Sequence, residues 1–115
     1  MAKRIKRAEI LIDKAALRRV VHFSDGSFES ADIAWNQVMR IAAFKRDMFS
    51  VDLICLAFET NSSALEVDEE MEGWEKLLES LPNYFEKILL REEWWNEVAH
   101  PAFAINLTQI YPINQ

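Results

Sequence analysis

Glycine occurs only twice in these 115 residues, proline three times, histidine twice and cysteine once. Long flexible linkers are therefore not expected. Two isolated glycines, Gly26 and Gly73, cannot build a phosphate-cradling loop or a dinucleotide fingerprint, each of which gathers several glycines in one short stretch. Cys55 has no partner for an internal disulfide, and inside the run DLICLAF it reads as a small buried hydrophobe and not a reactive thiol. No C-x-x-C or H-x-x-x-H pair is present, and the acidic stretch lacks the glycine-centred calcium loop, so neither a metal site nor a cofactor is expected. A hydrolytic triad needs a histidine beside a nucleophile and a carboxylate. His22 precedes Ser24 and Asp25, but on a tight turn, and no G-x-S-x-G elbow occurs; His100 reads as a cation at a helix C-terminus. No catalytic residue is assigned.

Long hydrophobic runs are missing too. Nothing approaches the roughly 18 apolar residues of a membrane-spanning helix, and the start, MAKRIKRAEILID, lacks the apolar region of a signal peptide. The expectation is a cytoplasmic protein. With half its residues hydrophobic and 28% charged, the chain has the composition of one folded domain.

Charge is distributed unevenly. Residues 1–20 sum to +5, residues 21–60 to −3 and residues 61–115 to −8, giving the net −6. An acidic body argues against nucleic acid as the main ligand, because phosphate binding needs a cationic surface. The basic start, Lys3, Arg4, Lys6 and Arg7 together with Arg18 and Arg19, offers a phosphate or lipid-headgroup site as one alternative. Its plainer reading is a solvated terminus that frays over residues 1–7.

Asp25-Gly26 lies between LRRVVHF and FESADIAW, the pattern of a β-hairpin. Residues 8–21 fit a short strand over AEILID, a turn at Lys14-Ala15-Ala16 and a second strand. A helix from Ala8 to Val21 also places Ile10, Leu17 and Val21 on one face; strands are the preferred reading. Val38, Arg40, Ala42 and Phe44 alternate with Met39, Ile41 and Ala43, and VDLICLAFE is short and continuously apolar, so two antiparallel strands are expected with 45–50 as their loop. ALEVDE continues as a strand with Leu65 and Val67 inward.

Near Asp68 the hydrophobic period changes from 2 to 3.6. Met71, Trp74, Leu77, Leu78 and Leu81 form one stripe, with Asp68 as N-cap, Glu69 and Glu70 in the first turn and a Glu72–Lys76 pair. Gly73 costs that helix about 1 kcal/mol relative to alanine. Leu81-Pro82-Asn83 ends it, a second helix runs from Tyr84 to Ala99, and His100-Pro101 stops that. The expected fold is α+β: one domain over 1–115, an antiparallel meander of five or six strands within 8–68, two packed helices within 69–99, and an extended tail over 100–115.

WNQVMRIAAFKRD (35–47), DLICLAF (52–58), LEVDEEMEGW (65–74) and VAHPAFAIN (98–106) together resemble a family of small bacterial single-domain proteins, across residues 8–111. Its motifs carry no catalytic assignment. The resemblance implies a sheet followed by a helix, reminiscent of pleckstrin-homology-like domains, and with it a binding role; this is fold-level analogy.

Candidate contact residues follow. Lys45, Arg46 and Asp47 sit on the expected loop, where Arg46 can grip a carboxylate or phosphate. Glu69, Glu70 and Glu72, in the run from Glu66 to Glu79, offer a negative patch to a basic partner. Trp94 and Trp95 are adjacent on a helix, so their rings point about 100° apart and one is left exposed as an interface anchor, with Trp94 taken as the candidate. The expected function is a non-enzymatic protein-interaction domain, with a basic protein or a second copy of the chain as partner. Two competing functions fit the same residues: an acidic inhibitor that neutralises a basic toxin, and a small-molecule enzyme without a recognisable motif.

Overall fold

Two aspartates end two strands by the same device. The Asp13 carboxylate accepts the Ala15 and Ala16 amides at 2.8 and 2.9 Å, and that of Asp25 accepts the Ser27 amide at 2.9 Å. Such turns reverse the chain because the side chain replaces a ladder partner that the backbone would otherwise lack. The computed structural model describes residues 4–48, 51–100 and 105–113; Lys3 and Pro101, given roles above, lie outside them.

Three strands, β1 (Ile5–Ile12), β2 (Ala16–Phe23) and β3 (Phe28–Ala34), pair antiparallel in sequence order. Residues 8–21 are thus strand, turn and strand, and not helix. The pairing also reaches back to Ile5, opposite Phe23, so residues 5–7 belong to a strand and not to a fraying terminus. After a 3-10 turn at Trp35–Gln37 come β4 (Arg40–Asp47), β5 (Asp52–Glu59) and β6 (Ala64–Asp68). The final strand, β7 (Thr108–Tyr111), follows the helices in sequence but lies beside β4, giving a second sheet ordered β6-β5-β4-β7. The architecture is α+β, as expected, but the strands form two sheets instead of one meander.

Alternation decides which faces are buried. Ile10, Leu17 and Ile33 of the first sheet meet Ile41, Ala43, Ile54, Leu56, Phe58, Leu65 and Val67 of the second in one core. Helices α1 (Trp74–Tyr84) and α2 (Arg91–Ala99) complete it with Trp74, Leu77, Leu78 and Leu81 from one and Trp94 and Val98 from the other. Each such fully buried large side chain stabilises the fold by roughly 1.5–3 kcal/mol. Trp35 stacks on Tyr84 at 4.3 Å between ring centres, and both reach the Asp13 carbonyl, Trp35 Nε1 at 2.8 Å and Tyr84 Oη at 3.2 Å. The first hairpin is thereby tied to the end of α1.

The helix boundaries differ from expectation. Asp68 is the last residue of β6, and its carboxylate accepts the Glu70 amide at 3.0 Å, so it is not the N-cap and Glu69 and Glu70 stand outside the helix. The chain instead crosses to the free edge of β1: Ile10 N–H donates to the Glu72 carbonyl at 2.7 Å and Glu72 N–H to the Ala8 carbonyl at 3.1 Å. Glu72 pairs with Arg7 at 3.1 Å, in place of the expected Lys76. Pro82 sits in the last turn of α1, which continues to Tyr84. Residues 85–90 are not helical, because their backbone serves β7: Leu89 N–H donates to the Ile110 carbonyl at 2.9 Å and Ile113 N–H to the Lys87 carbonyl at 3.0 Å. α2 therefore begins only at Arg91, with the Glu93 carboxylate accepting the Leu90 amide at 2.8 Å.

Gly73 makes the crossing feasible. Its φ is +92°, and a Cβ built there would stand 2.5 Å from the Ile10 carbonyl oxygen. Gly26, at φ +89°, has open space where its Cβ would point. We therefore expect Gly26→Ala to cost about 1 kcal/mol in urea unfolding, from backbone conformation alone, and Gly73→Ala about 3 kcal/mol or more, because β1 must also be displaced. Equal losses would show that the close approach is not the constraint.

Candidate functional site

The Lys45-Arg46-Asp47 triplet is strand, not loop, because pairing of β4 with β5 runs to Asp47 opposite Asp52. Its three members part company. Lys45, only 2% exposed, turns toward the core, where Nζ lies 3.2 Å from the Asp52 carboxylate and donates to the Ala99 carbonyl at 2.8 Å. That carbonyl ends α2, so the buried cation is matched by both a carboxylate and the negative end of a helix. Arg46 points to the opposite face, 2.7 Å from Glu66, with its guanidinium over the Phe44 ring. Arg46 and Asp47 are exposed and Lys45 is not, which corrects the assignment of Lys45 as a contact residue.

The acidic run also divides. Glu72 is held in a chain of contacts: Arg7 lies 3.1 Å from both Glu72 and Glu9, and His22 Nε2 is 2.6 Å from Glu9. The hydrogen bond from His22, aided by the Arg7 charge, holds the Glu9 carboxyl below its ordinary pKa. Glu69 is half-buried, and desolvation raises its pKa above the ordinary value; burial does the same to Asp68. Glu70 is exposed. The three glutamates therefore stand in three different environments instead of one patch on a helix.

Arg18 and Arg19 are neighbours on β2 and so point to opposite faces. Arg18 pairs with Asp32 at 3.4 Å, while Arg19 donates to the Glu66 carbonyl at 2.7 Å and bridges the two sheets. They cannot grip one phosphate together. His22 contacts a carboxylate, but on the outer face of the first sheet and in none of the clefts described below. His100 is the C-cap residue of α2. Cys55 is wholly buried, and desolvation, with the Glu66 charge second, pushes its thiol up to about 12, far from a nucleophile's range. Among the described residues no three His, Cys, Asp or Glu side chains gather as metal ligands, and no helix is long and apolar enough to cross a membrane.

Of the adjacent tryptophans, Trp94 is the buried one at 1% exposure, in the core beside Val98 and Ile110. This corrects its place as an exposed interface anchor. Trp95 takes the outward position, with the Arg91 guanidinium 4.5 Å from its ring centre.

Two further surfaces then appear, with Trp94 the one earlier candidate among their lining residues. The face of the four-stranded sheet turned away from the helices carries Ala42, Phe44, Ala57 and Leu107 around a shallow hollow of about 180 Å³. Leu107 is 68% exposed, and Met48 and Val51 at the hairpin end are about half exposed. Arg40, which donates twice to the Glu59 carboxylate at 2.5 and 2.8 Å, borders the hollow with it, and the Arg46–Glu66 pair lies farther along the same face. The second surface is a cleft of about 330 Å³ between α1 and the start of α2, with Leu78, Leu81, Pro82, Leu89 and Trp94 among its lining and Glu75, Glu79, Arg91 and Glu92 as its charged groups. Alternation in 40–46 foretells the outward side chains of the first surface. Nothing local foretells the second, because residues 75–82 and 89–94 meet only in the folded chain.

Fold and surfaces together define an α+β domain of two antiparallel sheets and two helices, with an open sheet face and a cleft between the helices. No protein-family model, no curated protein and no solved structure matches this chain.

The two carboxyls with opposite shifts give a pH test. Glu9 has a depressed folded pKa, so its contribution is present above the ordinary carboxylate value and lost as pH falls through the folded one. Glu69 has a raised folded pKa, so its ionised form opposes folding and stability increases as pH falls through that value. Glu9→Gln should thus lower stability at pH 7 and Glu69→Gln raise it, with both differences shrinking at acid pH in urea titrations. A same-sign effect at pH 7 would contradict the assignment.

Proposed function

We propose that this chain is a cytoplasmic, non-enzymatic protein-interaction domain that docks through the outer face of its four-stranded sheet. The observation that carries this reading is the apolar hollow around Phe44 and Leu107, on a face that neither helix covers. A half-buried aromatic and exposed aliphatic side chains with paired charges at their border are the composition of a protein contact: an apolar centre and a polar rim. The Arg–Glu pairs leave this face nearly neutral, so docking there does not require a strongly charged partner. Arg46, an exposed member of the charged triplet, would stand at the rim.

A catalytic reading finds less support. Neither histidine lines a cleft described above, and Cys55 is inaccessible. A phosphate-binding reading is weakened by the separation of Arg18 and Arg19 on opposite faces of β2.

The test is capture of a protein partner by the immobilised chain from lysate of its source cells, followed by affinity measurement with the purified partner. Phe44→Asp combined with Leu107→Asp should weaken affinity by at least about thirtyfold, the loss of one contact hot spot, while circular dichroism and the unfolding midpoint show an intact fold. Undiminished affinity in the folded double variant would remove the sheet face from the interaction.

A further inference from the structure

The cleft between the helices has a chemistry that the sheet face lacks. Its floor is apolar and firm: Leu81 and Trp94 are almost fully buried and Leu78 nearly so, all three belonging to the core. Its width is fixed by a bond across the mouth, where Arg91 donates twice to the Glu75 carboxylate, the longer contact being 3.1 Å. The same guanidinium lies over Trp95. Arg91, the one cation among the lining residues, is thus already neutralised.

Three glutamates line the cleft against that single arginine, so two carboxylates, Glu79 and Glu92, remain. Among the described residues neither makes an ion pair or a side-chain hydrogen bond. Glu92 stands in the first turn of α2, at the positive end of that helix, where Glu93 binds the Leu90 amide at 2.8 Å. The volume of about 330 Å³ falls at the small end of ligand-binding pockets. A group that is apolar along its stem and cationic at its tip satisfies both halves of such a site, and lysine and arginine side chains have that form.

We propose that this cleft docks a basic segment of a partner protein, with a lysine or arginine stem on the Leu78–Leu81–Trp94 floor and its head toward Glu79 and Glu92. The −8 charge of residues 61–115 steers such a segment to this side of the molecule. The site lies on the helical side, separate from the sheet face, and does not depend on it.

Selection of a displayed random-peptide library on the full chain tests this. Binders should be enriched in lysine or arginine next to an aliphatic residue, alter tryptophan fluorescence on binding, and release as salt is raised. Glu79→Gln with Glu92→Gln should weaken a selected peptide by about tenfold, two partly screened charge contacts, whereas Phe44→Asp with Leu107→Asp should leave it unchanged. Each single glutamine variant is measured as well, so that a folding defect in the double variant does not decide the result. The proposal fails if no peptide is selected, if binders lack basic residues, or if binding survives loss of both carboxylates. Weakening by the sheet-face variant instead would move the site there.

Discussion

Closure of β1 by the backbone at Glu72 and Gly73 is the contact on which the arrangement of this molecule turns. After β6 the chain must leave the second sheet, satisfy the exposed edge of the first and enter a helix within five residues, 69–73. It does so with two hydrogen bonds to β1 and a left-handed residue whose missing Cβ lets the Ile10 carbonyl approach. An unpaired strand edge would otherwise stand open beside the core. The crossing also delivers Trp74 into the interior and sets the direction of α1. The Asp13 carbonyl then holds the far end of α1 through Tyr84, so the first hairpin grips the helix at both ends.

The second helix is anchored by charge. Lys45 is buried at the end of the core and satisfied by Asp52 and the terminal carbonyl of α2. Asn106 adds a bond from its side-chain amide to the Val98 carbonyl at 3.1 Å. A buried ammonium is costly unless it is paired and hydrogen-bonded, so this lysine specifies where α2 ends more than it strengthens the fold. With α2 packed against β4 and β7 on one face of the second sheet and α1 held by the first hairpin, the other face of the second sheet is left to solvent. The acidic cleft arises from the same placement, since its walls are the two helices so held.

Much of this was legible locally. Asp25-Gly26 marked its hairpin, alternation marked β4 through β6, and the Trp74–Leu77–Leu78–Leu81 stripe marked α1 and its buried side. The errors have physical causes. Asp68 has the chemistry of an N-cap, but a side-chain oxygen that can cap a helix can equally close a turn, and the first orphan amide it meets is that of Glu70. Residues 85–90 have helical periodicity, yet their backbone groups are claimed by the segment around β7, a strand some twenty residues later. Gly73 resembles a defect within a helix because its neighbour, Ile10, is 63 positions away. Trp94 and Trp95 are indistinguishable by sequence, and only the placement of α2 against Ile110 selects which ring is buried.

The amino-acid order by itself determined the strands up to residue 68, the apolar stripe of α1 and which of their faces are oily, because side-chain period is set by backbone geometry within a few residues. It also determined that negative charge gathers in the second half. The tertiary structure alone decided that a lysine in a charged triplet is buried, that the tail returns to pair with β4, and which carboxylates keep no counter-ion. Those outcomes depend on contacts between distant segments, where one closure of the core selects among partners that look equivalent along the chain.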